Sequence, residues 1–265
     1  ANLAPPRATI TASTTILLLI LCVPVILIGL LVWQADNLID WAVSKIPIET
    51  EIFLGRQAFA QQRQGLQIVE DHPALPMVRQ IGTHLTPGSA YPYEFHIARD
   101  GAINAFAMPG GFIVIHTGLL ASADSAEELA GVIAHEVQHV ELRHGLRGLV
   151  HAAGWRVILS LILGDTSGSL AGSWVADLGT LSFSRSQETA ADLKGVEALV
   201  GADIDPNGLV AFFGKLARDP GRLPPFLSSH PANAERLKTV KAAFPKERFY
   251  RPLPYDYAHL RGLPN

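Results

Sequence analysis

Residues 135 to 139 read His135, Glu136, Val137, Gln138, His139, an HExxH pentapeptide set inside an apolar-periodic run. Chance supplies roughly 0.02 such pentapeptides in a chain of this composition, so an accident is a poor explanation. On a helix the two histidines lie about 40° apart around the axis, and both imidazoles can reach one metal ion. Glu136 then stands beside that ion, placed to act on a water molecule. The flanks agree with a helix: Ser125, Ala126, Glu127 and Glu128 read as an SxxE capping box and Gly145 as a stop, which predicts one helix from about Ala126 to His144.

Two histidines do not complete a catalytic zinc site, which needs three protein ligands and an open position. The single Cys22 excludes a cysteine-rich site and a disulfide framework, so a metal must be held by histidine and carboxylate. His144 is five residues beyond His139, roughly 140° around a continuous helix and pointing away. Leu142 and Gly145 stand where the HExxHxxGxxH pattern needs Gly and His, which excludes the metzincin class. Downstream, Glu188, Thr189, Ala190, Ala191 and Asp192 place two carboxylates four apart with small residues between them. An acidic pair on a helix is usually a solvated face, but beside HExxH it gains a second meaning. Glu188 is a candidate third ligand, and Asp192 a candidate acceptor for the free ring N–H of one zinc histidine, the alanines permitting close packing of the two helices.

Four motifs now stand in order: Asn104, Ala105, Phe106, Ala107, Met108, Pro109, Gly110, Gly111; then HExxH; then ETAAD from Glu188; then Ser229, His230, Pro231 with Arg236. Together they resemble the M48 gluzincin peptidases, from about Glu49 to Phe244. The resemblance implies an α+β, mainly α-helical, zincin-like metallopeptidase domain with a small β-sheet, and one zinc ion per chain. His135, His139 and Glu188 would be its ligands and Glu136 the catalytic residue. As the family's HP histidine, His230 would approach the open zinc position or donate to the oxyanion; as a lone His before Pro it would merely cap a helix. Arg236 would hold a carboxylate near the site or form a surface salt bridge. Only one segment is long and apolar enough to cross a membrane, so the resemblance favours the single-anchor, quality-control branch over the multi-span CAAX-processing proteases.

That segment runs from Ile16 to Trp33 without a charged or amide side chain and predicts an N-terminal transmembrane helix. A secretory signal is the competing reading, but it would end at a small-residue cleavage site that Trp33, Gln34, Ala35, Asp36 do not supply. Trp33 and Trp41 suit the interface, and Leu38 to Ile46 forms an amphipathic stretch ending at Pro47, either on the membrane surface or as an ordinary connector. The expected organisation is an N-terminal segment with its span over 1–35, a juxtamembrane linker over 36–48, and a metallopeptidase domain over 49–265. The weak charge bias favours a short N-terminus in the cytoplasm with the catalytic domain translocated, and with the resemblance the expectation is a single-pass protein of a bacterial inner membrane with a periplasmic catalytic domain.

Within the domain, helical patterns cover about 49–64 and 74–85, and short β-prone runs follow at 93–97, 103–107 and 111–117. Beyond the metal helix, 149–163 reads as a core helix or else as a surface that touches lipid or substrate, with further helices at about 170–183, 186–199, 205–217 and up to 244. Residues Asn104, Ala105, Phe106 and Ala107 would form an edge strand that pairs with an extended polypeptide substrate, or else an interior strand.

A net charge of −3 without any basic stripe argues against a nucleic-acid partner, leaving polypeptides and, through 16–33, the lipid membrane; oligomerisation is open. The functional expectation is a membrane-anchored zinc endopeptidase acting on misfolded or misassembled envelope or membrane proteins. Glu136 would take a proton from the attacking water and pass it to the leaving amine. The alternatives are a proteolytically inactive, chaperone-like zinc-binding membrane protein, against which the retained Glu136 speaks, and a purely structural zinc.

Overall fold

The computed structural model describes residues 20–24, 34–153, 182–218, 225–230, 234–245 and 248–261. The chain divides into two compact units, 1–42 and 43–265. In the first, residues 20–24 are helical with Ile20, Leu21 and Val23 exposed. Most of the apolar run 16–33 lies outside the described residues, and among those described no helix is long and apolar enough to cross a membrane. Helix α1 (Ala35–Lys45) follows, with Trp41 exposed, and the chain turns at Pro47 into α2 (Ile48–Gln62).

The second unit is built around one helix. Its apolar residues lie on every face rather than in a stripe, so it must be covered all round. This is α5 (Ala126–Glu141), which follows the short α4 (Thr117–Ser122) and in which every residue from Leu129 to Val140 is buried. Ser125 Oγ caps it by accepting from the Glu128 N–H at 3.2 Å. The expected reciprocal half of the capping box is absent: Glu128 Oε2 instead accepts from Asp124 N at 2.9 Å and from Lys215 Nζ at 2.6 Å, because an ammonium is the stronger partner. A complete capping box does exist at Ser184 and Gln187, starting α7 (Arg185–Gly201).

Around α5 pack α3 (Leu75–Leu85), α7 and α8 (Asn207–Leu216). Two glycines set the α5–α8 distance. A Cβ on Gly131 would stand 2.6 Å from the Leu209 backbone, and one on Gly208 would stand 2.2 Å from Glu127 O. On the other side α7 presents Ala191, fully buried, and Gly195, whose Cβ would lie 3.6 Å from Ala134. The small residues between the two carboxylates thus bring them close to the metal helix.

The sheet has the order β1-β3-β2, with β1 (Glu94–Ala98) parallel to β3 (Phe112–His116) and β2 (Ala105–Met108) antiparallel to it. Gly110 and Gly111, at φ 82° and 100°, make the β2–β3 turn in a conformation that side chains resist. One face carries Phe95, Ile97, Ile113 and Ile115 into the core that includes α5. On the other, Phe59 of α2 stacks on His96 at 4.4 Å and on Phe112 at 5.1 Å. β2 is the outer strand beside α5, so the edge placement of Ala105, Phe106 and Ala107 is the observed one.

The expected single helix 126–144 is broken. α5 ends at Glu141, Arg143 adopts a left-handed conformation at φ 56°, and His144 starts α6, described as His144–Ala153. Gly145 is therefore not a stop; its Cα faces Pro109. The cause is long-range: the Arg143 guanidinium donates to Val43 O and Ile46 O, each at 2.9 Å, and to Glu51 Oε2 at 2.7 Å. Glu51 is fully buried and also accepts from Tyr91 OH at 2.9 Å. Burial raises its carboxyl above the ordinary range, against the lowering influence of Arg143 and Tyr91. The remainder of the expected helix 149–163, and nearly all of 170–183, lie outside the described residues. After α8 come α9 (Pro225–Ser229), α10 (Ala234–Ala242) and α11 (Tyr257–Arg261).

Candidate metal centre

His135 and His139 project from one face of α5, Glu188 from α7, and His230 from the end of α9; all four are buried. One ligand atom from each lies within 4.8 Å of the others. His135 Nε2 is 3.0 Å from His139 Nε2, 3.1 Å from His230 Nδ1 and 3.5 Å from Glu188 Oε2. Glu188 Oε1 is 3.4 Å from His139 Nε2 and 3.0 Å from His230 Nδ1. Four nitrogen and oxygen ligands bonded at about 2.0–2.1 Å around a tetrahedral zinc stand about 3.3 Å apart, so these separations fit that ion.

The chemistry of the donors agrees. His135 Nδ1 lies 2.9 Å from Asp192 Oδ1, and an ionised carboxylate can only accept, so Nδ1 carries the hydrogen and in the neutral ring Nε2 is left with a lone pair. Lone pairs of neighbouring imidazoles brought this close repel unless a cation lies between them. Burial lowers the basicity of His135, but the Asp192 hydrogen bond and the Glu188 charge outweigh it and raise its pKa. A proton and a metal ion compete for the same lone pair, and uptake of the metal releases the proton. His139 is held well below the ordinary histidine value, chiefly by burial, which outweighs the raising influence of Glu188.

Arg236 is not a surface group. Its guanidinium is buried, forms an ion pair with Glu188 Oε2 at 2.7 Å, donates to Asp192 Oδ1 at 2.9 Å, and pairs closely with Asp192 Oδ2 through Nε. It also lies over the Phe213 ring at 4.9 Å. Burial alone would raise both carboxyls; the His139 and His230 rings close to Glu188, and hydrogen bonds from Arg236 and His135 to Asp192, instead hold them below the ordinary range and ionised at neutral pH. Glu188 and Asp192 are thus both held by one cation, Arg236.

Glu136 lies beside the cluster, fully buried, with neither carboxylate oxygen fully hydrogen-bonded. Burial raises its pKa, moderated by His230, His135 and the Ala107 backbone. His230 Nε2 is 3.4 Å from Glu136 Oε1 while His230 Nδ1 faces the ligand cluster, so this ring touches both parts of the site. The ring packs on Phe226 at 4.7 Å, and the His230 backbone N–H donates to Phe226 O at 2.9 Å. Asn104, just before β2, keeps a buried Oδ1 without a hydrogen-bond partner.

Two contributors were not legible as such in the sequence. Phe183 covers the ligand rings, 4.0 Å from His139 and 5.5 Å from His230, and nothing in its local sequence marks it. His144, expected to point away, lies with its Nδ1 3.1 Å from His139 Nδ1, because the break at Arg143 redirects it. Burial lowers its pKa to about 4, so it is neutral at physiological pH.

The chain is similar to known proteases. Beta-barrel assembly-enhancing protease of Escherichia coli (strain K12) is 30% identical over 78% of this chain and 47% of its own length. Metalloprotease LoiP of the same organism is 34% identical over 58% of this chain and 63% of its own length. Mitochondrial metalloendopeptidase OMA1 of Schizosaccharomyces pombe is 30% identical over 60% of this chain and 49% of its own length. The chain spans about half the length of the first of these and less than two thirds of each. Residues 74–243, which carry every proposed ligand, match the profile of peptidase family M48, and the chain belongs to that family.

Proposed function

We propose that the protein is a membrane-anchored zinc endopeptidase that hydrolyses peptide bonds of misfolded or misassembled envelope and membrane proteins. The observation that carries this reading is the convergence of His135, His139 and Glu188 beside a buried carboxylate, Glu136, that no hydrogen bond fully satisfies. Those three residues would hold the ion, and zinc there supplies Lewis-acid polarisation and makes water a nucleophile at neutral pH. Glu136, made more basic by its burial, takes a proton from the attacking water and delivers it to the leaving amine. His230, 3.4 Å from Glu136, orients that carboxylate and faces the developing oxyanion. Asp192 fixes the tautomer of His135, and Arg236 holds Asp192 and Glu188 in place.

Asn104, Ala105, Phe106 and Ala107 form the substrate edge. A polypeptide added to β2 would be bound through its main chain, with little sequence preference, next to Glu136. Such binding suits substrates recognised by being unfolded rather than by sequence. The relatives whose names describe β-barrel assembly and mitochondrial metalloendopeptidase activity support a quality-control role. The span 16–33 would tether the enzyme to a bacterial inner membrane with its catalytic unit on the periplasmic side.

The test is zinc content and casein cleavage by the wild type and by Glu136→Gln. The variant is expected to keep its zinc and lose cleavage. Proteolysis surviving in the pure variant would refute the assignment.

A further inference from the structure

We propose that His144 is a positioning residue for the metal centre: by accepting the Nδ1–H of His139 on its own Nδ1, it fixes the tautomer in which His139 Nε2 presents a lone pair to zinc. The inference rests on the zinc-site reading above and adds a residue to it. The two Nδ1 atoms are 3.1 Å apart and both rings are buried. A contact of that length between imidazoles requires a hydrogen on one nitrogen and a lone pair on the other. His139 Nε2 is the nitrogen that faces His135 and Glu188, at 3.0 Å and 3.4 Å. A neutral His139 that ligates through Nε2 must carry its hydrogen on Nδ1, and His144 Nδ1 is the atom set to receive it. His144 then carries its own proton on Nε2.

The two zinc histidines are therefore oriented by different chemistry. Asp192, a carboxylate, serves His135, and its charge is balanced by Arg236. An imidazole acceptor orients His139 without adding a further negative charge to a site that already contains Glu188 and Glu136. The backbone is built for this contact. On a continuous helix the fifth residue after His139 would be about 140° away; the left-handed Arg143, at φ 56°, ends α5 and returns the chain so that His144 meets His139. Phe183 packs on both rings, at 4.0 Å and 6.1 Å, and restricts their planes.

Zinc affinity of the full chain in detergent, measured by chelator competition, tests the proposal on the wild type, His144→Asn and His144→Leu. Asn Oδ1 can accept from the position that Nδ1 occupies, whereas Leu offers no acceptor. The Leu variant is expected to bind zinc about 10–100-fold more weakly, the loss typical of removing a group that orients a metal ligand, and the Asn variant to stay near wild type. Equal affinity of the Leu variant and the wild type overturns the proposal, as does an Asn variant as weak as Leu. Histidine ¹⁵N NMR of the zinc-loaded wild type decides the matter independently of how either variant folds: His139 must carry hydrogen on Nδ1 and His144 must have a bare Nδ1, and the reverse overturns the assignment. A wild type that takes up no zinc defeats the metal-site reading itself, an outcome separate from a role for His144.

Discussion

Replacing Arg143 by Met removes the guanidinium that ties the end of the metal helix to the chain before α2 while keeping most of the side-chain bulk. Glu51, fully buried, is then left with Tyr91 OH as its hydrogen-bond donor, its Oε1 being already without one. A lone buried carboxylate is so costly that the cheapest response is protonation. Moving a carboxyl of ordinary pKa 4.5 to the protonated form at pH 7 spans 2.5 units, which at about 1.36 kcal/mol each is about 3.4 kcal/mol. That is a ceiling for the Glu51 share, because burial already raises this carboxyl in the wild type. The lost bonds to Val43 O and Ile46 O add about 0.5–1.5 kcal/mol each. The total is therefore at most about 4.4–6.4 kcal/mol at neutral pH, and with the Glu51 share below its ceiling it overlaps the range of about 3–5 kcal/mol for breaking a buried pair.

The pH dependence has a definite sign. In the variant the folded state holds a proton on Glu51 that the unfolded chain releases above pH 4.5, so stability falls as pH rises through this window, by up to about 1.36 kcal/mol per unit. The deficit relative to wild type therefore shrinks as pH is lowered towards 5. Urea unfolding of the full chain in detergent, followed by circular dichroism between pH 5 and 8, measures both quantities. Adding Glu51→Gln should abolish the pH-dependent part of the deficit. A loss below about 1 kcal/mol at pH 7, or one that does not change towards pH 5, would refute the account of Arg143 as partner to a buried charge.

Other outcomes follow from the same geometry. Glu188→Ala removes the proposed third ligand, so metal analysis after dialysis should show zinc largely lost; undiminished content removes Glu188 from the role. Asp192→Ala frees the Nδ1–H of His135 and one anchor of Arg236, and should weaken zinc binding about 10–100-fold in a chelator titration. Gly131→Val drives a side chain into the Leu209 backbone at 2.6 Å and should lower stability by about 1–3 kcal/mol or more by calorimetry; an unchanged transition would mean that α5 and α8 are not in this contact. Removing zinc with chelator should lower the thermal midpoint, since free ion at 100 times its Kd adds about 2.7 kcal/mol, and restoring it should recover the shift.

Much of the site was readable because its chemistry is local. Both His135 and His139 sit on one helix at a spacing set by helical pitch, and Glu188 and Asp192 repeat that spacing on another. The strands were placed within a few residues because their turns carry Pro109, Gly110 and Gly111, which punctuate the chain whatever surrounds it. The reciprocal cap at Glu128 was misread because Lys215, 87 residues distant in sequence, competes for the same carboxylate. The burial of Arg236 was undecidable for a similar reason: an arginine on a short helix looks alike in a surface salt bridge and in a buried clamp.

What the sequence by itself determined was a candidate donor set, the helix that bears two of its histidines, the order of the motifs and the reaction those residue types could perform, since these depend on side-chain chemistry and on distances of a turn or less. The tertiary structure decided that Glu188 and His230 meet the two histidines and that Arg236 locks both carboxylates of α7. It also decided that the metal helix ends at Glu141 and not three residues later. A left-handed arginine is disfavoured locally and persists because its side chain bonds groups 92 to 100 residues away, so no window of neighbouring sequence contains the reason that His144 turns back to His139.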